Sequence, residues 1–274
     1  MNTHELRAKS FALRRDVADM IYRGKAGHFG GDFSVMDILV TLYYIHMNVS
    51  PENQDDPDRD RFILSKGHCV QALYAVLCDR GFFPKSELMT FSQFGSILTG
   101  HPNNLVNGIE MNTGSLGHGL SVGVGMALAG KMDGAPYRVY VVMGDGELAE
   151  GTIWEGVMAA SHYKLDNLTA VVDRNGLQIS GCTEAVMAQE SLVDRWSAFG
   201  WNVIEADGHS IDELDKALNK AKSHSGNPSV VIAKTVKGRG YSGAENKAEW
   251  HHKVPSEEEY SAIIAELSER GAGV

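Results

Sequence analysis

Asp145 and Asn175 stand thirty residues apart, each one residue past a strand-like run. The run from Arg138 to Met143 breaks into Gly144-Asp145-Gly146-Glu147, and the run from Leu168 to Asp173 breaks into Arg174-Asn175-Gly176. That interval is about one βαβ unit. Tyr140 to Met143 reads as a buried parallel strand, Thr152 to Tyr163 as the crossover helix, and Leu168 to Asp173 as the neighbouring strand. Asp145 and Asn175 would then close the carboxyl ends of two strands about 4.8 Å apart. Two hard oxygen donors at that separation suit a small hard cation. Mg²⁺ keeps near-octahedral geometry at about 2.1 Å and completes its shell with substrate phosphates and water. The spacing therefore predicts a metal-bridged phosphate ligand at the carboxyl edge of a parallel sheet, where such folds bind ligands.

Gly144-x-Gly146-x-x-Ala149 also fits the dinucleotide fingerprint. In that motif the backbone approaches a pyrophosphate closely, and Asp145 would set a carboxylate beside it. Only a cation between the two removes the repulsion. No acidic residue ends the second strand about 20 residues on, where a ribose partner belongs. The metal reading is the better one. Histidines supply a second set of candidates: His28, His68, His101 and His118 fall in loops beside glycine or proline, and His251-His252 lie near the end. A lone loop histidine is most often a surface residue. As a group, however, His28, His68 and His101 each follow a glycine directly, where backbone can approach a ligand beside an imidazole. His118 and His252 are read as ordinary surface residues.

The elements that must carry these residues alternate along the chain. Thr3 to Tyr22 forms an amphipathic helix with Leu6, Leu13, Val17, Met20 and Ile21 on one face. Lys25 to Phe33 reads as a loop, with Ser34 capping a helix that runs to about Met47. Strands are expected at Arg61–Ser65, Trp201–Ala206 and Ser229–Val236, with helices at Val70–Arg80, Ser191–Phe199 and Ile211–Lys222. A small-residue helix opens after Gly114 and reaches Lys131, and a last helix begins near Ser256. Alternating strands and helices imply a three-layer α/β/α fold with a mostly parallel central sheet.

Composition narrows the function classes. The 274 residues are 43% hydrophobic and 22% charged, ordinary for a globular chain. A formal charge of −10 argues against nucleic acid as a partner. Cys69, Cys78 and Cys182 form no Cys-x-x-Cys pair, which fits free thiols in a reducing compartment. There is no apolar leader at the start and no uncharged run of about 18 residues. These features predict a cytoplasmic protein without a membrane association.

Several motifs together resemble one family. Gly27-His28-Phe29-Gly30-Gly31, Ser65-Lys66-Gly67-His68, Gly100-His101-Pro102, Thr113-Gly114-Ser115-Leu116-Gly117-His118-Gly119, Gly144-Asp145-Gly146 through Glu150-Gly151, and Asn175 are similar to the N-terminal, diphosphate-binding half of transketolases. The resemblance runs nearly end to end. The Gly-Asp-Gly to Asn interval is shared by thiamine diphosphate enzymes in general, whereas the separated histidines belong to the ketol-transferring branch. The resemblance implies thiamine diphosphate and Mg²⁺ (or Ca²⁺ or Mn²⁺) as cofactors. Asp145, Asn175 and the Leu177 carbonyl would ligate the metal. His68 and His251 would touch the diphosphate and line the substrate channel. Gly114 and Leu116 would pack around the aminopyrimidine, Gly146 would offer an amide to the diphosphate, and Glu150 would sit at an interface between subunits. His28 and His101 would bind donor hydroxyls and move protons, which an imidazole titrating near neutrality suits. Phe29 replaces the usual Pro and His118 the usual Gln.

Residues 1–274 are expected to form a single diphosphate-binding domain, with the pyrimidine-binding and C-terminal domains on a separate chain. The expected activity is transfer of a two-carbon ketol unit between sugar phosphates, only with that C-terminal partner subunit. Self-association across a two-fold axis would make a heterotetramer. The nearest alternative is the α subunit of a 2-oxo acid dehydrogenase decarboxylase component, against which the set His28, His68 and His101 stands. Deoxyxylulose phosphate synthase is a related but longer chain. A non-catalytic regulatory copy is disfavoured by the retained Asp145 and Asn175.

Overall fold

The computed structural model describes residues 1–274. Five strands, β1 (Arg61–Leu64), β2 (Val139–Gly144), β3 (Leu168–Arg174), β6 (Asn202–Asp207) and β7 (Ser229–Lys234), form one sheet in the order β1-β2-β3-β7-β6. Every pairing in it is parallel, with Val142 opposite Val171 and Gly144 opposite Asp173. A two-stranded antiparallel ribbon, β4 (Leu177–Gln178) and β5 (Gly181–Cys182), stands apart just beyond β3.

Alternate residues along the strands face opposite ways, so each strand feeds two cores. Phe62, Leu64, Tyr140, Val142, Val171 and Val231 pack with α1 (Thr3–Gly24), α2 (Phe29–Thr41), α3 (Val70–Asp79), α8 (Ile211–Ser223) and α9 (Glu257–Ala272). Ile63, Val139, Val141, Met143, Ala170 and Val172 pack instead with α4 (His118–Asp133), α5 (Gly151–His162) and α7 (Leu192–Ala198). A parallel sheet covered on both faces is the three-layer arrangement expected from the alternation. Between β5 and α7 lies the short α6 (Thr183–Val186). No helix is long and apolar enough to cross a membrane.

Local signals set most boundaries. Helix α1 opens on a capping box: the Asn2 side chain accepts from the Glu5 amide at 2.9 Å, and Glu5 accepts from the Asn2 amide at 2.8 Å. Two helix starts depart from the sequence reading: α4 begins at His118, past Gly117 rather than just after Gly114, and α2 departs further. Helix α2 begins at Phe29, inside the expected loop, and Ser34 is no cap but a buried interior residue. Its hydroxyl donates to Asp173 at 2.6 Å, with the Gly31 carbonyl 3.0 Å away. Gly30 and Gly31 read as turn residues, yet serve close packing: a Cβ on Gly31 would lie 2.5 Å from Cys69 Sγ. The polar Asp37 is likewise interior and buried, paired with Arg14.

Candidate functional site

A cavity of about 430 Å³ opens at the carboxyl ends of β1, β2, β3 and β7. Four of its polar groups come from the first few residues beyond those strands: Lys66 after β1, Asp145 after β2, Asn175 after β3 and Lys237 after β7. Asp145 and Asn175 stand at the ends of adjacent parallel strands, and the Gly176 amide donates to Asp145 Oδ2 at 2.6 Å. Gly146 donates to the other carboxylate oxygen at 2.9 Å. Burial pushes the Asp145 carboxyl up to about 6, against the pull of those amides. The Asn175 side chain accepts from the Leu177 amide at 3.1 Å, which turns the chain into β4.

The imidazoles converge from four separate loops. His28 immediately precedes α2, His68 lies in the turn Gly67–Cys69 before α3, His101 in an irregular loop, and His251 just after the turn Ala248–Trp250. His28 is the hub, with ring centroids 5.1 Å from His68, 6.1 Å from His101 and 5.5 Å from His251. Two glycines make this approach possible. Gly114 has φ +140°, and a Cβ there would lie 2.7 Å from the His101 ring; one on Gly67 would lie 2.6 Å from Thr113 Oγ1. Phe29, stacked on Phe33 with ring centroids 3.9 Å apart, also packs against Trp250 at 4.9 Å. That contact draws the His251 loop to the start of α2.

Burial sets the charge state. It lowers His28 to about 4, helped by neighbouring His252 and His101, and lowers His251 to about 3, helped by Lys237. It holds His68 well below the usual range and lowers His101 as well. At neutral pH the cavity thus presents neutral imidazoles, each both donor and acceptor. The positive charge comes from lysines. Burial would lower Lys66, but its ion pair with Asp173 raises it. Burial likewise opposes the Asp173 charge, and Lys66, Ser34 and Thr235 together hold its carboxyl down. Lys237 has no carboxylate partner: its ammonium donates to the Leu177 carbonyl at 3.1 Å and lies 2.9 Å from His251 Nδ1. Burial, then the charge of Lys66, lower it to about 8.

Every sequence-predicted site residue lines this cavity: His28, His68, His101, His251, Gly114, Leu116, Asp145, Gly146, Glu150, Asn175 and Leu177. Glu150 is exposed and occupies the position before the first residue of α5. His118 begins α4 on the surface and does not line the cavity. Exposed His252 does not line it either, although its ring lies 4.7 Å from His28. Sequence reasoning missed Lys66, Lys237, Glu147 and Gln178. Lys237 was findable by the rule that picked out Asp145, as a polar residue just past a strand. Glu147 is buried and ties three loops, accepting from the Ser65 hydroxyl, the Gly117 amide at 2.9 Å and the Gly144 amide at 3.1 Å. A larger depression, about 600 Å³, lies beside Arg174, Asp207 and Lys234. Arg174, Lys234 and Arg239 there face Glu205, Asp207 and Glu213, so no charge prevails, and no predicted site residue lines it.

Residues 7–268 match the family model described as transketolase, thiamine diphosphate binding domain. The chain belongs to the transketolase family. It is 49% identical over 270 residues to an apulose-4-phosphate transketolase subunit of Phocaeicola vulgatus, covering 98% of this chain and 96% of that one. A 6-deoxy-6-sulfo-D-fructose transketolase subunit from a Clostridium species is 42% identical, covering 98% of both. Human transketolase is 42% identical over 88% of this chain, which spans only 38% of its length. The solved transketolase of Campylobacter jejuni superposes with a TM-score of 0.91 at 32% identity, covering 99% of this chain and 43% of that one. The transketolase fold and the N-terminal, cofactor-binding portion of it are thereby established for this chain.

Proposed function

We propose that this chain is the N-terminal subunit of a two-chain transketolase, moving a two-carbon ketol unit from a ketose phosphate to an aldose phosphate with thiamine diphosphate and Mg²⁺. The observation that carries this is one cavity holding oxygen donors, an unpaired lysine and four neutral imidazoles together. The donor set fits the metal: the Asp145 carboxylate, the Asn175 amide oxygen and the Leu177 carbonyl are all hard oxygens. The Lys237 ammonium that now donates to that carbonyl would turn to the diphosphate when both are bound. The cavity also fits an anion. Lys237 meets only neutral groups, and a diphosphate would supply its missing counter-charge. Buried His28 Nδ1 and Gln178 Oε1 have no hydrogen-bond partner within the chain and are free for a ligand or its water.

Bound there, thiamine diphosphate supplies the electron sink through which the two-carbon unit passes between sugars. His68, His251 and Lys237 would hold the diphosphate, with Gly146, whose amide donates to Asp145 in the free chain, close to it, while Gly114 and Leu116 would border the aminopyrimidine. His28 and His101 would engage the donor's hydroxyls. Being neutral, each can accept a proton from one oxygen and return it to another. A 2-oxo acid would call for a cation to meet its carboxylate. Paired imidazoles serve a polyhydroxylated chain better.

The partner is a separate chain with the pyrimidine-binding half, as the names of the relatives suggest by calling them subunits. Two copies of each chain would assemble around a two-fold axis with Glu150 at the interface. The test is ketol transfer by this chain alone and with the chain encoded beside it, with Mg²⁺ and thiamine diphosphate. Xylulose 5-phosphate and apulose 4-phosphate would serve as donors and ribose 5-phosphate as the acceptor, with assembly size followed by light scattering. Transfer only in the mixture is expected. Activity of the lone chain would overturn the partner requirement, and decarboxylation of 2-oxo acids instead would overturn the ketol reading.

A further inference from the structure

We infer that His209 is a positioning residue for this site: through the Val236 amide it fixes the Lys237 ammonium in the cavity. This rests on the reading of the cavity as a diphosphate site. His209 follows β6 and does not line the cavity, and its side chain is 9% exposed. Its Nε2 accepts from the Val236 amide at 2.8 Å, so the ring proton sits on Nδ1, which donates to Asp37 Oδ2 at 2.8 Å. Arg14 donates to both Asp37 oxygens, at 3.2 and 2.7 Å, and to the Phe33 carbonyl at 3.1 and 2.8 Å. Burial opposes the Asp37 charge, but Arg14 and His209 hold its carboxyl well below the usual range. The imidazole is therefore oriented by an ionised, anchored acceptor. Its own backbone is fixed as well, since the His209 amide donates to Asp207 Oδ1 at 2.8 Å.

Lys237 needs such support because no ion pair holds it. The Gly238 amide donates to the Gly30 carbonyl at 2.9 Å, and the Lys237 carbonyl accepts from the Asn246 amide at 2.9 Å. On the preceding side, the Val236 amide has His209. The side-chain stem lies against Gly30, where a Cβ would come within 2.9 Å of Lys237 Cγ. Backbone anchored before and after the residue thus delivers the ammonium to Leu177 and His251. Without the imidazole acceptor, the Val236 amide loses its partner and the ammonium loses its register with the phosphate position.

The two amide replacements separate positioning from packing. In His209→Asn the side chain reaches Asp37 but stops short of Val236; in His209→Gln an oxygen reaches the Nε2 position and can accept from Val236. The dissociation constant of thiamine diphosphate at fixed Mg²⁺ would be measured by calorimetry on the chain assembled with its partner subunit, beside the melting temperature of the cofactor-free complex. His209→Asn is expected to weaken binding by about tenfold or more, the usual scale for losing an orienting group, with the melting temperature little changed. His209→Gln is expected to restore most of the affinity. In a Lys237→Met background, His209→Asn should add little, because both act through one ammonium. Equal affinities for the two amide variants, full additivity with Lys237→Met, or an Asn variant that fails to fold would overturn the proposal. A wild-type complex that binds no thiamine diphosphate would instead overturn the proposed function, and this role with it.

Discussion

The lysine and carboxylates in the cavity divide the work by charge, and the imidazoles do so by neutrality. Asp145 is buried, and burial raises its carboxyl to about 6, so it is ionised for a cation at neutral pH and a proton competes with that cation as the pH falls through 6. Asp145→Ala is expected to abolish Mg²⁺-dependent binding of thiamine diphosphate in the assembled complex. Undiminished binding would remove the metal assignment. His101 packs against His28, whereas the lysine meets His251. His101→Ala should lower turnover by about 10²- to 10⁴-fold, the range for a positioned proton donor or acceptor, with cofactor affinity nearly unchanged. The reverse pattern, weak binding with intact turnover, would move His101 to the diphosphate. Cys69, Cys78 and Cys182 are free thiols, and burial raises Cys69 and Cys78, so neither of those two is a reactive thiolate. All three are expected to tolerate Ala without loss of the chemistry.

Helix α4 shows how an element delivers a site. Its first turn presses on the end of β1: a Cβ on Gly119 would fall 2.4 Å from the Ser65 side chain and 2.8 Å from its Cα. Ser65 in turn holds Glu147, which also grips the Gly117 amide at 2.9 Å just before α4 begins. Gly119→Ala therefore forces the helix outward. It should cost about 1–3 kcal/mol by chemical denaturation, the usual penalty of overpacking, and should weaken cofactor binding with it. Gly125, on the same helix, has nothing within 4 Å of an added Cβ. Gly125→Ala should leave the isolated chain unharmed or stabilise it by up to about 1 kcal/mol through helix propensity. Equal effects at the two positions would mean that α4 does not register the loop.

Across the whole molecule, the buried imidazoles tie stability to pH. His28 and His251 titrate at about 4 and about 3 in the folded chain, and His68 also lies well below 6.5. Between about 4 and 6.5 the unfolded chain therefore binds more protons, so stability rises with pH across that window and is lost on acidification. Asp145, raised to about 6, acts the other way: its contribution is lost as pH rises through that value. Buried Asp32 and Glu147 are raised as well and act with Asp145, while His46 and His101 are lowered and act with the other three imidazoles, so five imidazoles outweigh three carboxyls. The urea midpoint of the cofactor-free chain should fall from pH 7 to pH 4.5, and His28→Gln should flatten the slope. A midpoint that holds steady would mean these rings are not neutral in the folded chain.

The interval from Asp145 to Asn175 could be read from the sequence because a βαβ unit is nearly local. Strand, crossover helix and strand are written in one continuous stretch, and the residue after each strand falls at the sheet edge by geometry alone. The layer architecture was likewise visible in the alternation of elements, and the motifs around His28, His68 and His101 carried the family resemblance. The start of α2 was not visible, because Gly30 and Gly31 look the same whether they serve a turn or close packing against Cys69 and Lys237. Nor could any spacing show that rings from residue 28 to residue 251 meet around one hub, or that Lys237 joins them without a carboxylate partner. Their neutrality is a consequence of desolvation, and desolvation exists only once loops distant in the chain have closed over one another. Residue types and local spacing thus determined which groups stand at the sheet edge; the tertiary packing decided which of them touch and what charge they carry.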